Sequence, residues 1–200
     1  HATNASAPPR STSCEGYDHA CARWMGRGAM STFAYADPPY LGQAKRHYSK
    51  HKDYAGEVDH AELIARLDRD YDGWALSASM KSIPALARLL PPDVLTLAWV
   101  KPIAPPMGDH RHYSWEPVFL RSVRRPRGYV KSHLTLSPPQ FTFRPKPESH
   151  VIGEKPEGFA HWVFDSAGLI DGDELVDLFP GSGAITRAWA TWRDLLTSEG

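Results

Sequence analysis

From Ser31 onward the chain alternates between short apolar runs and segments whose apolar residues recur every three or four positions. Thr32–Ala36 (TFAYA) predicts a short buried strand. Val58–Leu67 places Val58, Ala61, Ile64, Ala65 and Leu67 at helical spacing. Gly73–Ser77 (GWALS) predicts a second strand. Ile83–Leu90 predicts a short helix, opened by Pro84 and stopped by Pro91-Pro92, because proline suits a first helical turn and breaks an interior. Val94–Val100 (VLTLAWV) is continuously apolar rather than alternating, as in a strand covered on both faces. Pro117–Val123 predicts a fourth strand, Phe159–Leu169 a helix and Glu174–Leu178 a fifth strand. Gly181-Ser182-Gly183 then opens a helix that runs to about Leu196. Residues 124–156 are rich in Pro, Arg and Ser and lack either period, which predicts an irregular insertion centred on 124–152. There is no internal repeat. This alternation predicts an α/β domain with a mostly parallel sheet.

Composition changes this picture little. The 200 residues suffice for one domain, read here as 31–200, behind a leader at 1–30 that is rich in Ala, Ser, Thr, Arg and Gly. Met30 directly precedes the first strand and would make a natural start. Lys and Arg total 23, as do Asp and Glu, so no global field draws the chain to nucleic acid; any such affinity needs local patches. The two cysteines, Cys14 and Cys21, give no disulfide framework and fit a reducing compartment. The apolar runs are too short to span a membrane, and the leader lacks the apolar core of a signal peptide, so a cytoplasmic location is expected. His110-Arg111-His112 and the scattered histidines form no metal-ligand spacing.

Two motifs carry chemistry. Ala36-Asp37-Pro38-Pro39-Tyr40 lies at the carboxyl end of a predicted strand, where open α/β sheets bind ligands. Its prolines stiffen a loop that holds one carboxylate beside one aromatic ring. Asp177-Leu178-Phe179-Pro180-Gly181-Ser182-Gly183 is a strand, a glycine-rich turn and a helix start. Glycines let backbone pass close to a ligand, and the helix offers free N–H groups to an anionic end. Either motif alone could be a simple turn; their pairing at strand ends is the stronger signal.

In this pairing the sequence resembles the amino-group DNA methyltransferases, in the permuted class whose catalytic motif precedes the cofactor motif. Asp37, Pro38, Pro39 and Tyr40 look like the family's D-P-P-Y catalytic loop. Asp177, Phe179, Gly181, Ser182 and Gly183 look like its D-x-F-x-G-S-G turn for S-adenosylmethionine. Lys155-Pro156 and the following helix resemble the segment before the cofactor strand, which implies that Lys155 reaches the cofactor. Trp99-Val100-Lys101-Pro102 and Trp115-Glu116-Pro117 are fainter echoes of later strands. The likeness spans roughly residues 31–193 and implies a Rossmann-like domain that methylates the N6 amine of adenine. Asp at the head of the loop favours adenine over N4 of cytosine. Ser137-Pro138-Pro139-Gln140 superficially echoes the cytosine-type loop but lacks its aromatic residue, and reads as a loop. The short, compact layout suits a stand-alone methylase of phage or bacterial type, as in restriction-modification.

The resemblance also implies partners. DNA with its target base flipped would lie against two basic stretches, Lys45, Arg46, Lys50 and Lys52, and Arg121, Arg124, Arg125, Arg127 and Lys131, with Tyr48 and Tyr129 interleaved. No metal and no membrane are implied. The family's acidic strand after the cofactor helix has no counterpart here, so the sheet is expected to lack one or two strands and to leave the cofactor strand at an edge. A partner chain or homo-oligomer could supply what is absent. An RNA adenine methyltransferase and a non-catalytic nucleic-acid-binding subunit are the alternatives.

Overall fold

In the computed structural model the described residues are 30–39, 58–102, 114–138 and 153–198. Six strands form one sheet: β1 (Thr32–Ala36), β2 (Gly73–Ser77), β3 (Leu95–Val100), β4 (Trp115–Arg121), β5 (His133–Thr135) and β6 (Glu174–Asp177). Their spatial order is β5-β3-β4-β2-β1-β6. Strand β1 lies parallel to β2 and to β6. Strand β4 runs antiparallel to both β2 and β3, and β5 pairs parallel with β3. One strand of the six is therefore reversed, and the expected mostly parallel α/β sheet is present. Among the described residues β6, the strand of the glycine turn, lies at the sheet edge as expected.

The helices are α1 (His60–Asp70), α2 (Ile83–Leu86), α3 (Glu157–Ala167) and α4 (Ala184–Ser198). The period-two alternation of β1 sorts its side chains into two cores. Phe33 and Tyr35 join Leu97, Trp99, Val118, Phe159, Val163, Phe164 and Trp192 on the face covered by α3 and α4. Ala34 and Ala36 join Leu63, Ile64, Leu67, Trp74, Leu76 and Leu86 on the other face, beneath α1 and α2. Each large side chain so buried contributes about 1.5–3 kcal/mol. Small residues of β1 face α1, and large ones face the longer α3–α4 pair.

Local chemistry sets the element ends. Asp59 accepts hydrogen bonds from the N–H groups of Ala61 (2.9 Å) and Glu62 (3.1 Å), so α1 starts at His60, two residues later than the apolar spacing suggests. Gly168 ends α3 in the left-handed conformation (φ 69°), its N–H donating to carbonyls of the last turn. Helix α2 stops at Leu86, short of the predicted Leu90, and a 3₁₀ turn (Met80–Ser82) leads into it.

Two expectations are corrected. Strand β3 is not covered on both faces: Leu95 is 53% exposed, and full burial begins at Leu97. The 124–156 stretch is not wholly irregular, since His133–Thr135 extends the sheet as β5 and Trp162 Nε1 donates to the carbonyl of Lys131 at 2.9 Å. No helix among the described residues is long and apolar enough to cross a membrane.

Candidate active site

Parallel pairing brings the two motifs together. In the register of β1 and β6, Tyr35 lies opposite Asp177, so Asp37 and the glycine turn leave neighbouring strands at the same edge of the sheet. The N–H of Leu178 donates to the carbonyl of Tyr35 (2.9 Å), carrying the pairing to the start of the turn. Because β4 is reversed, its first residues reach this edge as well, bringing Glu116 to Lys101 just beyond β3, with Lys101 Nζ to Glu116 Oε1 at 2.5 Å.

Asp37 is held by a group 118 residues away. Lys155 Nζ donates to Asp37 Oδ2 at 2.6 Å, and the lysine side chain is only 7% exposed. The same ammonium lies 5.7 Å from the centre of the Trp99 ring, and that of Lys101 lies 5.3 Å from it. Trp99 is itself fixed, donating from Nε1 to the carbonyl of Leu136 (2.9 Å) and packing 4.9 Å from Phe159 between ring centres.

The turn after β6 has the shape its glycines predict. Gly181 and Gly183 take positive φ, 48° and 74°, and the N–H of Gly183 donates to the carbonyl of Pro180 at 2.6 Å. Asp177 accepts from the N–H of Phe179 (3.3 Å) and the hydroxyl of Thr186 (3.4 Å). Burial holds the Asp177 carboxyl above its ordinary range; the two hydrogen bonds oppose this, and the negative charge of Asp37 adds to it. Burial, then Asp37, also pushes the Tyr35 hydroxyl well above the phenol range, so it stays neutral against Ser77 Oγ at 2.8 Å. Asp37 and Asp177 thus lie close enough for their charges to interact, and Lys155 pairs with Asp37.

Glu154 ties the segment of Lys155 to the glycine turn. Its Oε1 accepts from Ser182 Oγ (3.0 Å) and from Arg187 (2.9 Å), and Arg187 also donates to the carbonyl of Ser182 at 2.5 Å. Sequence reasoning missed Glu154, Thr186 and Arg187. Their only local signal is position, Glu154 beside Lys155 and the other two one turn into the helix after Gly183.

The expected site residues fare differently. Asp37, Pro38, Pro39, Lys155, Asp177, Phe179, Gly181, Ser182 and Gly183 meet at one edge of the sheet. Tyr40 lies outside the described residues, as do Lys45–Lys52, His110–His112, residues 1–29 of the leader and both cysteines. Lys155 contacts Asp37, on the loop after β1. Arg121 and Arg124, from the second basic stretch, are not beside this site. Arg121 pairs with Trp74 at the start of β2, the opposite end of the sheet. It forms ion pairs with Asp68 and, at 3.0 Å, with Asp93. Arg124 grips Asp173 through two bonds of 2.6 and 2.9 Å and donates to Ser31 Oγ (3.0 Å), ahead of β6 and β1. No cluster of His, Cys, Asp and Glu among the described residues could hold a metal ion.

No protein-family model and no curated protein matches the chain. It is similar to the crystal structure of the M1.HpyAVI–SAM complex, with 18% identity and a TM-score of 0.52 over 88% of this chain and 81% of that one. The chain shares its fold. The crystal structure of M1.HpyAVI alone gives 16% identity and a TM-score of 0.51, with the same coverage. M1.HpyAVI is thus a fold relative whose structure is known with SAM bound.

Proposed function

We propose that this chain is an S-adenosylmethionine-dependent DNA methyltransferase of the permuted amino-group class, acting on the N6 amine of adenine. The observation that carries the reading is the meeting of Asp37 and the Gly181–Gly183 turn at the ends of two adjacent parallel strands. The fold shared with M1.HpyAVI, whose complex holds SAM, supports it further.

The donor set fits S-adenosylmethionine. Two positive-φ glycines leave the turn open to close backbone approach; a Cβ on Gly183 would come within 3.3 Å of the Arg187 guanidinium. Asp177, Phe179 and Gly181–Gly183 would hold the cofactor, and the paired carboxylates favour its positive charge. Bound there, it supplies an electrophilic methyl group on a sulfonium.

The chain supplies position and charge. The exocyclic amine of adenine is a weak nucleophile because its lone pair is delocalised into the ring. The Asp37 carboxylate accepts a hydrogen bond from one amino hydrogen, and the carbonyl of Pro38 accepts the other. Both lie on a loop stiffened by Pro38-Pro39, so the lone pair is turned and held rather than found by chance. Tyr40 follows directly and supplies a ring for a flipped base to stack on.

Purified protein would be incubated with radiolabelled S-adenosylmethionine and unmethylated duplex DNA, with Asp37→Ala alongside, and the labelled nucleosides separated. N6-methyladenine that disappears in Asp37→Ala is the expected result. N4-methylcytosine would correct the base, label on RNA alone would move the substrate, and label on neither polymer would overturn the reading.

A further inference from the structure

Adjacent residues of one short segment reach both motifs. Glu154 takes the hydroxyl of Ser182 and the guanidinium of Arg187 at the glycine turn. Lys155 takes the carboxylate of Asp37, and does so through one oxygen, Oδ2. Among the described residues no group donates to Oδ1. An aspartate beyond a strand end can turn about both side-chain bonds, and a carboxylate that turns presents its lone pairs in many directions. A charge-assisted bond of 2.6 Å to a buried ammonium removes that freedom. The ammonium is confined in turn by the Trp99 ring and by the mooring of its neighbour Glu154.

Resting on the methyltransferase reading, we infer that Lys155 is a positioning residue that clamps Oδ2 of Asp37 and leaves Oδ1 aimed at the target amine. Its partner is thus the reacting side of the site rather than the methionine end of the cofactor. The Asp177 carboxylate lies near enough to feel the charge of Asp37, and the clamp also keeps Asp37 from swinging toward an incoming sulfonium. Misplacement of a reacting group by about 1 Å can cost on the order of 100-fold in rate. Loss of the clamp therefore acts on turnover and leaves binding largely as it was.

The test compares Lys155→Met and Lys155→Arg with the wild type, by steady-state methylation and by calorimetry with S-adenosylmethionine. Lys155→Met is expected to lower kcat about 10- to 100-fold, while the cofactor Kd and the KM for DNA move less than about threefold. Lys155→Arg, which keeps a donor, should recover much of the loss. An active wild type whose kcat survives Lys155→Met overturns the clamp and leaves the methyltransferase reading standing. A raised cofactor Kd with kcat unchanged at saturation overturns it too, and makes Lys155 a cofactor residue. A wild type inactive on DNA and RNA overturns both. Nitrogen NMR of the lysine ammonium groups provides a readout that needs neither activity nor the Met variant. Lys155 should give an ordered, slowly exchanging signal that is lost in Asp37→Asn; a freely rotating Lys155 ammonium in the wild type refutes the clamp.

Discussion

Arg124 separates two roles that a basic stretch can play. Its guanidinium meets both oxygens of Asp173, a residue whose side chain is fully buried, at 2.6 and 2.9 Å. Asp173 also accepts from the N–H groups of Ser31 (3.0 Å) and Ile170 (2.9 Å), so it stitches together the starts of β1 and β6. In Arg124→Gln the carboxylate keeps those two backbone donors but loses its charge partner. Removing one partner of a buried ion pair costs about 3–5 kcal/mol, because the remaining charge stays desolvated. With a urea slope of about 2 kcal/mol/M, the unfolding midpoint should fall by about 1.5–2.5 M. DNA affinity of the folded fraction should not change, because Arg124 lies at the end of the sheet opposite Asp37. A phosphate contact would behave in the reverse way. It would leave the midpoint in place and reduce the slope of log affinity against log salt by about 0.9. Urea melts and a salt series of DNA-binding curves on the same two proteins decide the matter; an unmoved midpoint with a reduced salt slope refutes the structural role.

Gly168→Ala should destabilise the protein by more than the roughly 1–2 kcal/mol of a left-handed residue alone, since a Cβ there would sit 2.3 Å from the Arg124 carbonyl oxygen; a thermal melt within 2 °C of wild type would contradict this. Asp177→Asn should be at least as stable as wild type at neutral pH. The folded carboxyl titrates above its ordinary value, so its ionisation disfavours the folded state as pH rises; the gap should close as pH falls below the unfolded value of about 3.9. A gap that instead widened in acid would count against the burial argument. The same substitution should weaken S-adenosylmethionine binding, read by calorimetry.

The parts of this molecule that are legible in the sequence are those whose information is local. β2 is read to the residue, since GWALS is a compact run buried at every position. The glycine turn is legible because Gly181 and Gly183 announce a backbone that other residues resist. Strand β5 is invisible, because three residues carrying one apolar side chain, Leu134, cannot display a period. The exposure of Leu95 is equally hidden, since a continuous apolar run does not reveal what its neighbours cover. Long-range pairing is the largest gap. Arg121 and Arg124 look like free cations within an acid-poor stretch, yet their partners Asp93 and Asp173 lie 28 and 49 residues away. Lys155 is legible as part of a motif, but its bond to Asp37 is a product of the fold.

On the methyltransferase reading proposed above, the reversal of β4 bears on how a neutral chain would act on a polyanionic substrate. It carries Arg121 and Arg124 to the far end of the sheet, away from Asp37. Among the described residues at the near end, Lys101 pairs with Glu116 and Lys155 with Asp37, and the Asp177 carboxyl lies close enough to feel the charge of Asp37. Two carboxylates in proximity favour a cation over a phosphate. That combination suits a reaction in which the backbone of the nucleic acid stays outside and only a base enters. The base edge is uncharged and offers amino hydrogens to a carboxylate, so it escapes the repulsion its own phosphates feel. Cations that hold the phosphates then belong on the rim, away from the two carboxylates. On the proposed reading, a pocket that favours a sulfonium can therefore exist in a protein whose total charge is zero.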